Sequence, residues 1–429
     1  MSNLSSSTCS PNASNSSSPT TTNLPSPTAN TTTPLPTTPL KAAYATLITT
    51  LSYLPGALLL AYTLQKQGSQ YPLILMYTGL PANTIALLKR EAQHSNIILH
   101  ETTLLNLSPN AGVAARFADT WTKLQVFSFY DSGYERICFL DADMLILGPM
   151  DELLLNTSLR KPDIEGESGK LLAANHVCVC NLDRDSWAPS DWRRENCAYT
   201  TTPNNNHSPQ ETQHVPPTGS GLHTHTLLNS GLFIFTPSKE TWNDMWKFIH
   251  THSSSLSHYQ FPDQDFLTEW WRDRWISVGW KWNALKTWRY WHPEMWRDED
   301  VRALHYIVDK PWRARVPASG IAGYRGNDGV THGWWWEAYG KWEGERREAG
   351  EMGILELFWL WRLERIGYVP FVQTAKLLAN HILWASARES FSKIVHGLLV
   401  KKCANRTYII DYRVNHKFSA IVTGRKTLE

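Results

Sequence analysis

The sequence predicts an α/β protein built on a mostly parallel sheet, and three observations carry that expectation. Short apolar runs rich in Leu, Ile, Tyr and Phe alternate with helical stretches from Ala42 onward. The runs are continuous rather than alternating, so both faces of the strands are expected to be covered. Their spacing leaves room for a helix to cross back over the sheet between successive strands. In such sheets a ligand sits outside the carboxyl ends of the strands.

In chain order, Ala43 to Thr49 reads as a buried strand and Tyr53 to Gln67 as a helix ended by Gly68. Leu73 to Tyr77 is a second strand, Thr84 to His94 a second helix, and Ile97 to His100 a short strand. Leu124 to Tyr130 has helical character, and Ile137 to Leu140 is a strand of β-branched, aromatic and apolar residues. Regularity fades after Met150, and residues Asn196 to Thr226 read as a long surface loop. Leu232 to Thr236 restores strand character, followed by helices at Lys239 to His252 and Asp263 to Arg272. Beyond Trp334 the chain reads as helical and charged, most clearly from Glu337 to Glu351. No internal repeat is present. Residues 1–40 are Ser, Thr, Pro and Asn with almost no large apolar side chains, a composition that predicts a disordered head.

Composition narrows the function classes. A net charge of +2 gives no strongly basic field, which argues against bulk nucleic-acid binding. The sequence contains 21 Trp, concentrated between Trp242 and Trp361; most are expected in the core, while stacking on sugar rings is the functional alternative. Six cysteines are scattered, and Cys178-Val179-Cys180 with Cys197 offers part of a zinc site. No fourth ligand stands at a suitable spacing, so they read as reduced thiols. No apolar stretch of about 18 residues or more suggests a membrane span. With no charged-then-apolar leader, the matches to the glycosylation pattern at Asn12, Asn15 and Asn30 carry little weight, and a soluble cytoplasmic protein is expected.

The sharpest chemical signal is Phe139-Leu140-Asp141-Ala142-Asp143, a hydrophobic strand running into two acids separated by one small residue. Alternate side chains of an extended segment share a face, so both carboxylates can point the same way. Two adjacent carboxylates stay ionised together only with a cation between them, and oxygen ligands suit Mg²⁺ or Mn²⁺ bridging a diphosphate. His305 precedes Lys310-Pro311-Trp312; alone it reads as a structural histidine, but an imidazole would complete a metal site and the ammonium would suit phosphate oxygens. Phe261-Pro262-Asp263-Gln264-Asp265 has the form of a helix start, a junction where catalytic groups also sit. Asn229-Ser230-Gly231 leads into a strand with a glycine that lets a ligand approach the backbone.

Taken together and in this order, these segments resemble family 8 glycosyltransferases, the group containing glycogenin, galactinol synthase and bacterial galactosyltransferases. The resemblance runs from Ala42 to Trp312 and includes Leu47, Thr49, Tyr53-Leu54-Pro55-Gly56 and Lys123. The Asp141–Asp143 acids, Asn229-Ser230-Gly231, Asp263-Gln264-Asp265 and His305-Tyr306 through Trp312 complete the set. The stretch from Ala173 to Cys197, and Trp282-Asn283-Ala284-Leu285, look closest to galactinol synthases.

The resemblance implies a GT-A nucleotide-diphospho-sugar transferase fold of Rossmann-like, mostly parallel form. It also implies Mn²⁺, with Mg²⁺ as the alternative, a UDP-glucose or UDP-galactose donor, a polyol or carbohydrate acceptor, and retention at the anomeric carbon. Carried over by position, Leu47, Thr49 and Tyr53 would cradle uracil, and Lys123 would lie by the donor. Asp141, Asp143 and His305 would hold the metal, with Asp141 and Ala142 also at the donor nucleotide and Lys310 on the diphosphate. Asn229, Ser230, Asp263 and Gln264 would line the sugar, the last two as candidates for the face where positive charge develops. Thr50 and Gln260 depart from glycogenin, and the glycine usual between the His and the Lys is replaced near Val308, which puts the backbone contact to phosphate in question.

The expected organisation is a head over 1–40, a catalytic domain over 41–345, and a helical or divergent tail over 346–429. A nucleotidyltransferase is the rival enzyme class, but it calls for a Gly-rich phosphate loop where this chain has Thr49-Thr50-Leu51-Ser52-Tyr53. A non-catalytic carbohydrate-binding relative is the other rival, and intact Asp141, Asp143, His305 and Lys310 argue against it.

Overall fold

A computed structural model describes residues 40–105, 119–155, 172–200, 222–252, 256 and 259–365, with the short strand pieces 213–214, 408–409 and 423–424. The expected disordered head, Cys9, Cys403 and most of the expected tail lie outside the described residues.

The chain opens as two strand–helix–strand units. β1 (Ala42–Ile48) leads into α1 (Leu54–Lys66), β2 (Leu73–Tyr77), α2 (Ala82–Ser95) and β3 (Ile97–Glu101). β1 and β2 pair parallel with Ala45 opposite Ile74, and β2 pairs parallel with β3. The segment expected as a helix near Leu124 is a run of tighter 3-10 turns over Thr120–Asp131. It delivers β4 (Arg136–Leu140) to the other side of β1, again parallel. A side strand β5 (Met144–Ile146) and one turn of helix, α3 (Asp151–Leu154), follow.

Beyond the less regular middle come β6 (Leu172–His176), β7 (Gln213–His214), β8 (Leu228–Phe235), α4 (Lys239–Thr251) and α5 (Pro262–Trp270). Then follow β9 (Trp275–Ser277), β10 (Ala284–Leu285), α6 (Trp288–Trp291) and β11 (Ala303–His305). Two helices, α7 (Gly329–Glu348) and α8 (Met352–Arg365), close the described fold. The main sheet has the order β3-β2-β1-β4-β8-β6-β9-β7, with β8 antiparallel to both neighbours and β6 parallel to β9. A small second sheet, β10-β11-β5, sits at its carboxyl side. The strands β6, β9, β10 and β11 are not legible as strands because they are short and mix Ala, Asn, His and Trp. Their pairing comes from neighbours rather than from their own pattern.

Alternation along β4 divides the core in two. Cys138 and Leu140 join a cluster containing Leu58, Leu60 and Trp312. Ile137 and Phe139 join the cluster of Phe127, Phe233, Phe266 and Trp275 on the other face. Most of the described indoles are core, as expected; Trp271, Trp275, Trp280, Trp288, Trp312, Trp335 and Trp342 are fully buried. α7 is clasped to α2 by Arg346, whose Nε and Nη2 donate to the two Glu91 oxygens at 2.7 Å each, with Ser95 Oγ at 2.8 Å. Removing either buried partner leaves the other charge unpaired, at a cost of about 3–5 kcal/mol. α8 extends the same core with Ile354, Leu355 and Phe358.

Candidate active site

The two acids converge through a turn. Met144 N–H donates to Asp141 O at 3.2 Å, and this reversal, rather than alternation along an extended strand, turns both carboxylates to one side. The reversal sends β5 antiparallel along β11, with Met144 opposite His305 and Tyr306 N–H on Asp143 O at 2.9 Å. A sequence separation of more than a hundred and fifty residues is thus closed by one strand register. His305 Nε2 stands 3.3 Å from Asp143 Oδ1 and 3.8 Å from Asp141 Oδ2.

The tautomer of His305 follows from the chain of amides behind it. Gly231 N–H donates to Asn229 Oδ1 at 3.0 Å, which fixes that atom as the oxygen. Asn283 Nδ2 donates to the same oxygen at 2.8 Å, so Asn283 turns its Oδ1 to His305 Nδ1 at 2.9 Å. An amide oxygen only accepts, so Nδ1 carries a proton and Nε2 is the ring atom turned to the acids, where a bound cation would take its lone pair. Gly231 is required at this point, because a Cβ there would lie 2.4 Å from His305 Cε1.

Two lysines frame the acids. Lys123 Nζ, from the 3-10 segment, lies 2.9 Å from Asp141 Oδ1 and 2.6 Å from Asp263 Oδ2 and donates to Ser230 O at 3.2 Å. Lys310 Nζ donates to Asp143 Oδ2 and to Tyr306 O, the latter at 2.7 Å. Burial opposes ionisation of Asp143, but Lys310 and His305 outweigh it and hold the carboxyl well below its usual range. At Asp141 burial wins over Lys123 and pushes the carboxyl above its ordinary value. Burial alone would lower Lys123 and Lys310, yet their acid partners raise both, so both are ammonium ions.

The loop from β1 to α1 closes the opposite wall. Trp312 Nε1–H donates to Ser52 O at 3.0 Å, and Lys310 Nζ lies 5.7 Å from the centre of the Tyr53 ring. A Cβ on Gly56 would meet Ala142 O at 2.2 Å and Trp312 Cη2 at 2.6 Å, so only glycine lets α1 approach the acid turn. Leu47 lies near the carboxyl end of β1 and Thr49 just past it. On the far side, α5 begins at Pro262. Asp265 Oδ2 accepts from Gln260 N at 2.8 Å and Phe261 N at 2.9 Å, and burial raises the Asp265 carboxyl to about 6. Asp263 is buried and accepts from Ser230 Oγ at 2.8 Å, while Gln264 Oε1 accepts from Asn229 Nδ2 at 3.3 Å.

The acids, His305, Lys123, Lys310, Tyr53, Asn229, Ser230, Asp263 and Gln264 are thus linked by contacts in one neighbourhood. Two carboxylates and an oriented imidazole, with ligand atoms within 4.8 Å of one another, fit a divalent cation. A second acid group, Asp309, Asp328 and His332, is already filled: Lys286 Nζ lies 2.6 Å from Asp309 Oδ1 and also bonds Asp328. The sequence alone does not point to Asn283; the signal for it is the Trp282-Asn283 pair just before β10.

Comparison with known proteins decides the family. The profile of Glycosyl transferase family 8 matches residues 46–315. The chain belongs to that family. Galactinol synthase 6 of Arabidopsis thaliana is 24% identical over 289 residues, covering 64% of this chain and 74% of its own. Galactinol synthase 1 of Ajuga reptans is 26% identical over 267 residues, 61% of this chain and 70% of its own. Among solved structures, the bifunctional glycosyltransferase WbbM has a TM-score of 0.46 and 14% identity over 71% of this chain. The match spans 52% of WbbM, about half its length.

As a family 8 glycosyltransferase with this strand order, the chain has the expected GT-A fold. The departure at Val308 also has a structural answer. Val308 holds φ +68°, the left-handed conformation that glycine adopts freely, so the backbone between His305 and Lys310 keeps a glycine-like shape without the glycine. Among the described residues, no helix is long and apolar enough to cross a membrane.

Proposed function

We propose that the chain is a retaining, metal-dependent hexosyltransferase that takes its sugar from a UDP-sugar and passes it to a small polyol or carbohydrate hydroxyl. The single observation that carries this is the convergence of Asp141, Asp143 and His305 Nε2 beside the Lys310 ammonium. A divalent cation held by these three side chains would supply positive charge where the departing diphosphate gathers negative charge. Lys310 adds a compact cation at the same place, and its bond to Tyr306 O keeps it aimed there. Tyr53, Leu47 and Thr49 offer the uracil wall. Lys123 holds Asp141 and Asp263 in register, so the metal side and the sugar side move as one body.

Asp263 is locked between Lys123 and Ser230, which favours Gln264 as the group on the sugar's reacting face. Asn229 holds the Gln264 amide by its oxygen, which keeps a second lone pair for the sugar's reacting face. The names of the plant relatives make an inositol-type polyol the first acceptor to test.

Release of UDP from UDP-glucose and UDP-galactose, measured with myo-inositol, glucans and water as acceptors, tests the reading. Mn²⁺ is expected to support turnover better than Mg²⁺, with Ca²⁺ poorest, because imidazole nitrogen suits Mn²⁺ and Mg²⁺ prefers oxygen. His305→Asp should narrow that preference. Equal rates with Mg²⁺ and Mn²⁺ would remove His305 from the ligand set, and no UDP release from either donor with any metal would overturn the function.

A further inference from the structure

A second cluster of metal-binding side chains lies apart from the carboxylates. Cys178 and Cys180 leave the end of β6, Cys197 follows a turn at Arg194–Asn196, and His292 caps α6. Cys180, Cys197 and His292 are buried, and Cys178 is partly so. His292 Nε2 stands 3.1 Å from Cys180 Sγ, 3.5 Å from Cys178 Sγ and 3.8 Å from Cys197 Sγ. Cys197 Sγ and Cys178 Sγ are 3.9 Å apart, far beyond the ~2.05 Å of a disulfide, so all three are free thiols.

These four distances, with all four ligand atoms within 4.8 Å of one another, are close to the edges of a tetrahedron. With zinc–sulfur bonds of about 2.3 Å and a zinc–nitrogen bond of about 2.0 Å, sulfur–sulfur edges come to ~3.8 Å and sulfur–nitrogen edges to ~3.5 Å. Thiols alone do not account for the arrangement. One imidazole lone pair accepts one S–H and Cys197 Sγ bonds Cys178 Sγ at 3.9 Å, yet all four ligand atoms lie within 4.8 Å of one another, which weak S–H bonds do not require. Behind the ring, His292 Nδ1 faces Glu294 Oε1 at 3.5 Å, and Glu294 is held by Arg194 Nη2 at 2.6 Å. Nδ1 makes no hydrogen bond at that distance, so the carboxylate only faces the back of the ring, while Nε2 is the ring atom turned to the sulfurs.

We propose that Cys178, Cys180, Cys197 and His292 form a structural zinc site. The fourth ligand that sequence spacing conceals is brought by the fold from almost a hundred residues downstream. The site has work to do. Residues 177–200 hold little regular structure beyond the turn at Arg194–Asn196, a length of chain that rarely stays ordered unaided. That loop carries Trp187 and Trp192 onto Phe261, with the Trp192 and Phe261 rings stacked at 9°, and Gln260 Nε2 donates to Trp187 O at 3.1 Å. Phe261 stands immediately before Pro262-Asp263-Gln264, so the metal would staple the loop that buttresses the start of α5. Binding expels the thiol protons and fixes three chain segments at one point.

The test is metal analysis of the full-length chain purified without chelator. We expect close to one zinc per chain, retained through dialysis against EDTA. Replacement by Co²⁺ should give the d–d bands of a tetrahedral site and a thiolate-to-cobalt charge-transfer band. Cys180→Ser and His292→Ala should lower zinc content at least roughly tenfold, whereas Asp141→Asn should leave it unchanged. A chain with almost no zinc whose cobalt form lacks the charge-transfer band would overturn the site. So would zinc that leaves with Asp141→Asn and stays with Cys180→Ser. The cobalt spectrum of the unmutated chain decides the matter even if a variant fails to fold.

Discussion

The carboxylate cluster and the thiol cluster are built from the same plan with opposite outcomes. Each gathers a close pair of ligands, Asp141 with Asp143 and Cys178 with Cys180, and takes its histidine from a distant segment; Nδ1 of His305 is bonded to Asn283, while Nδ1 of His292 only faces Glu294. At Asp141, Asp143 and His305 the ligands are hard oxygens with one nitrogen, only three in number, and two ammonium groups stand beside them. At Cys178, Cys180, Cys197 and His292 four ligand atoms lie within 4.8 Å of one another, the number that fills a tetrahedral zinc. The difference separates chemistry from structure: an incomplete hard shell accepts substrate oxygens, and a complete soft one only holds the chain together.

The largest expected effect breaks the comparison into its two halves. Asp141→Asn should cut turnover by on the order of 10³-fold by removing one metal ligand. Stability should hold or rise. The Asp141 carboxyl is raised in the fold, so its ionised form is disfavoured there and costs stability above the folded value; a neutral amide at pH 7 removes that cost. Lys123 keeps Asp263 and Ser230 as partners. His292→Ala should do the reverse, lowering the melting temperature markedly while the molecules still folded keep Mn²⁺-dependent turnover. Thermal denaturation and UDP release on both variants read the split. A melting temperature that falls equally in the two would mean that the clusters are not functionally distinct.

Asn283→Ala comes next. It removes the acceptor that holds the Nδ1 proton of His305, so the ring is free to rotate or change tautomer. Metal affinity should fall by about 10–100-fold, the usual cost of losing such a partner. Raising Mn²⁺ should restore most of the rate, whereas it should not rescue Asp141→Asn. A rate at saturating Mn²⁺ that stays as low as that of Asp141→Asn would place Asn283 in the chemistry rather than behind the histidine.

Asn283 also shows where sequence reading stops. The parallel strands, the acid pair (though not its turn), Lys310 and the start of α5 are legible because each is a local pattern: an apolar run, an acid pair after a strand, a proline-led helix. What joins them is not local. Asn283 stands in the quoted Trp282–Leu285 stretch with no sign of its partner, His292 looks like any His in a Trp-rich stretch, and β10 and β11 are too short to announce themselves. Their roles arise from register: His305 opposite Met144 and Leu285 opposite His305. The thiols show the same limit more sharply, since their spacing suggests a metal and the missing ligand is found only in three dimensions.

The smallest expected effect concerns backbone strain, which both regions carry. Val308, with φ +68°, lies on the strap to Lys310, and Arg184, with φ +56°, lies on the thiol-stapled loop. A left-handed conformation costs a residue with a Cβ about 1–2 kcal/mol, and glycine returns roughly 0.5–1 kcal/mol of that through its looser unfolded state. Val308→Gly should therefore stabilise the chain by up to about 1 kcal/mol, with Val308 the better case because a β-branched side chain is least at ease there. Its side chain is mostly exposed, so little packing is lost. Arg184→Gly should gain less, because the Arg side chain is unbranched at Cβ. Chemical denaturation gives both differences, and initial rates separate their meaning. If the strain at Val308 helps to aim Lys310, Val308→Gly should lower turnover while Arg184→Gly leaves it alone. Equal rates in the two variants would show that the strap holds its shape through the Tyr306 and Trp312 bonds without help from the valine.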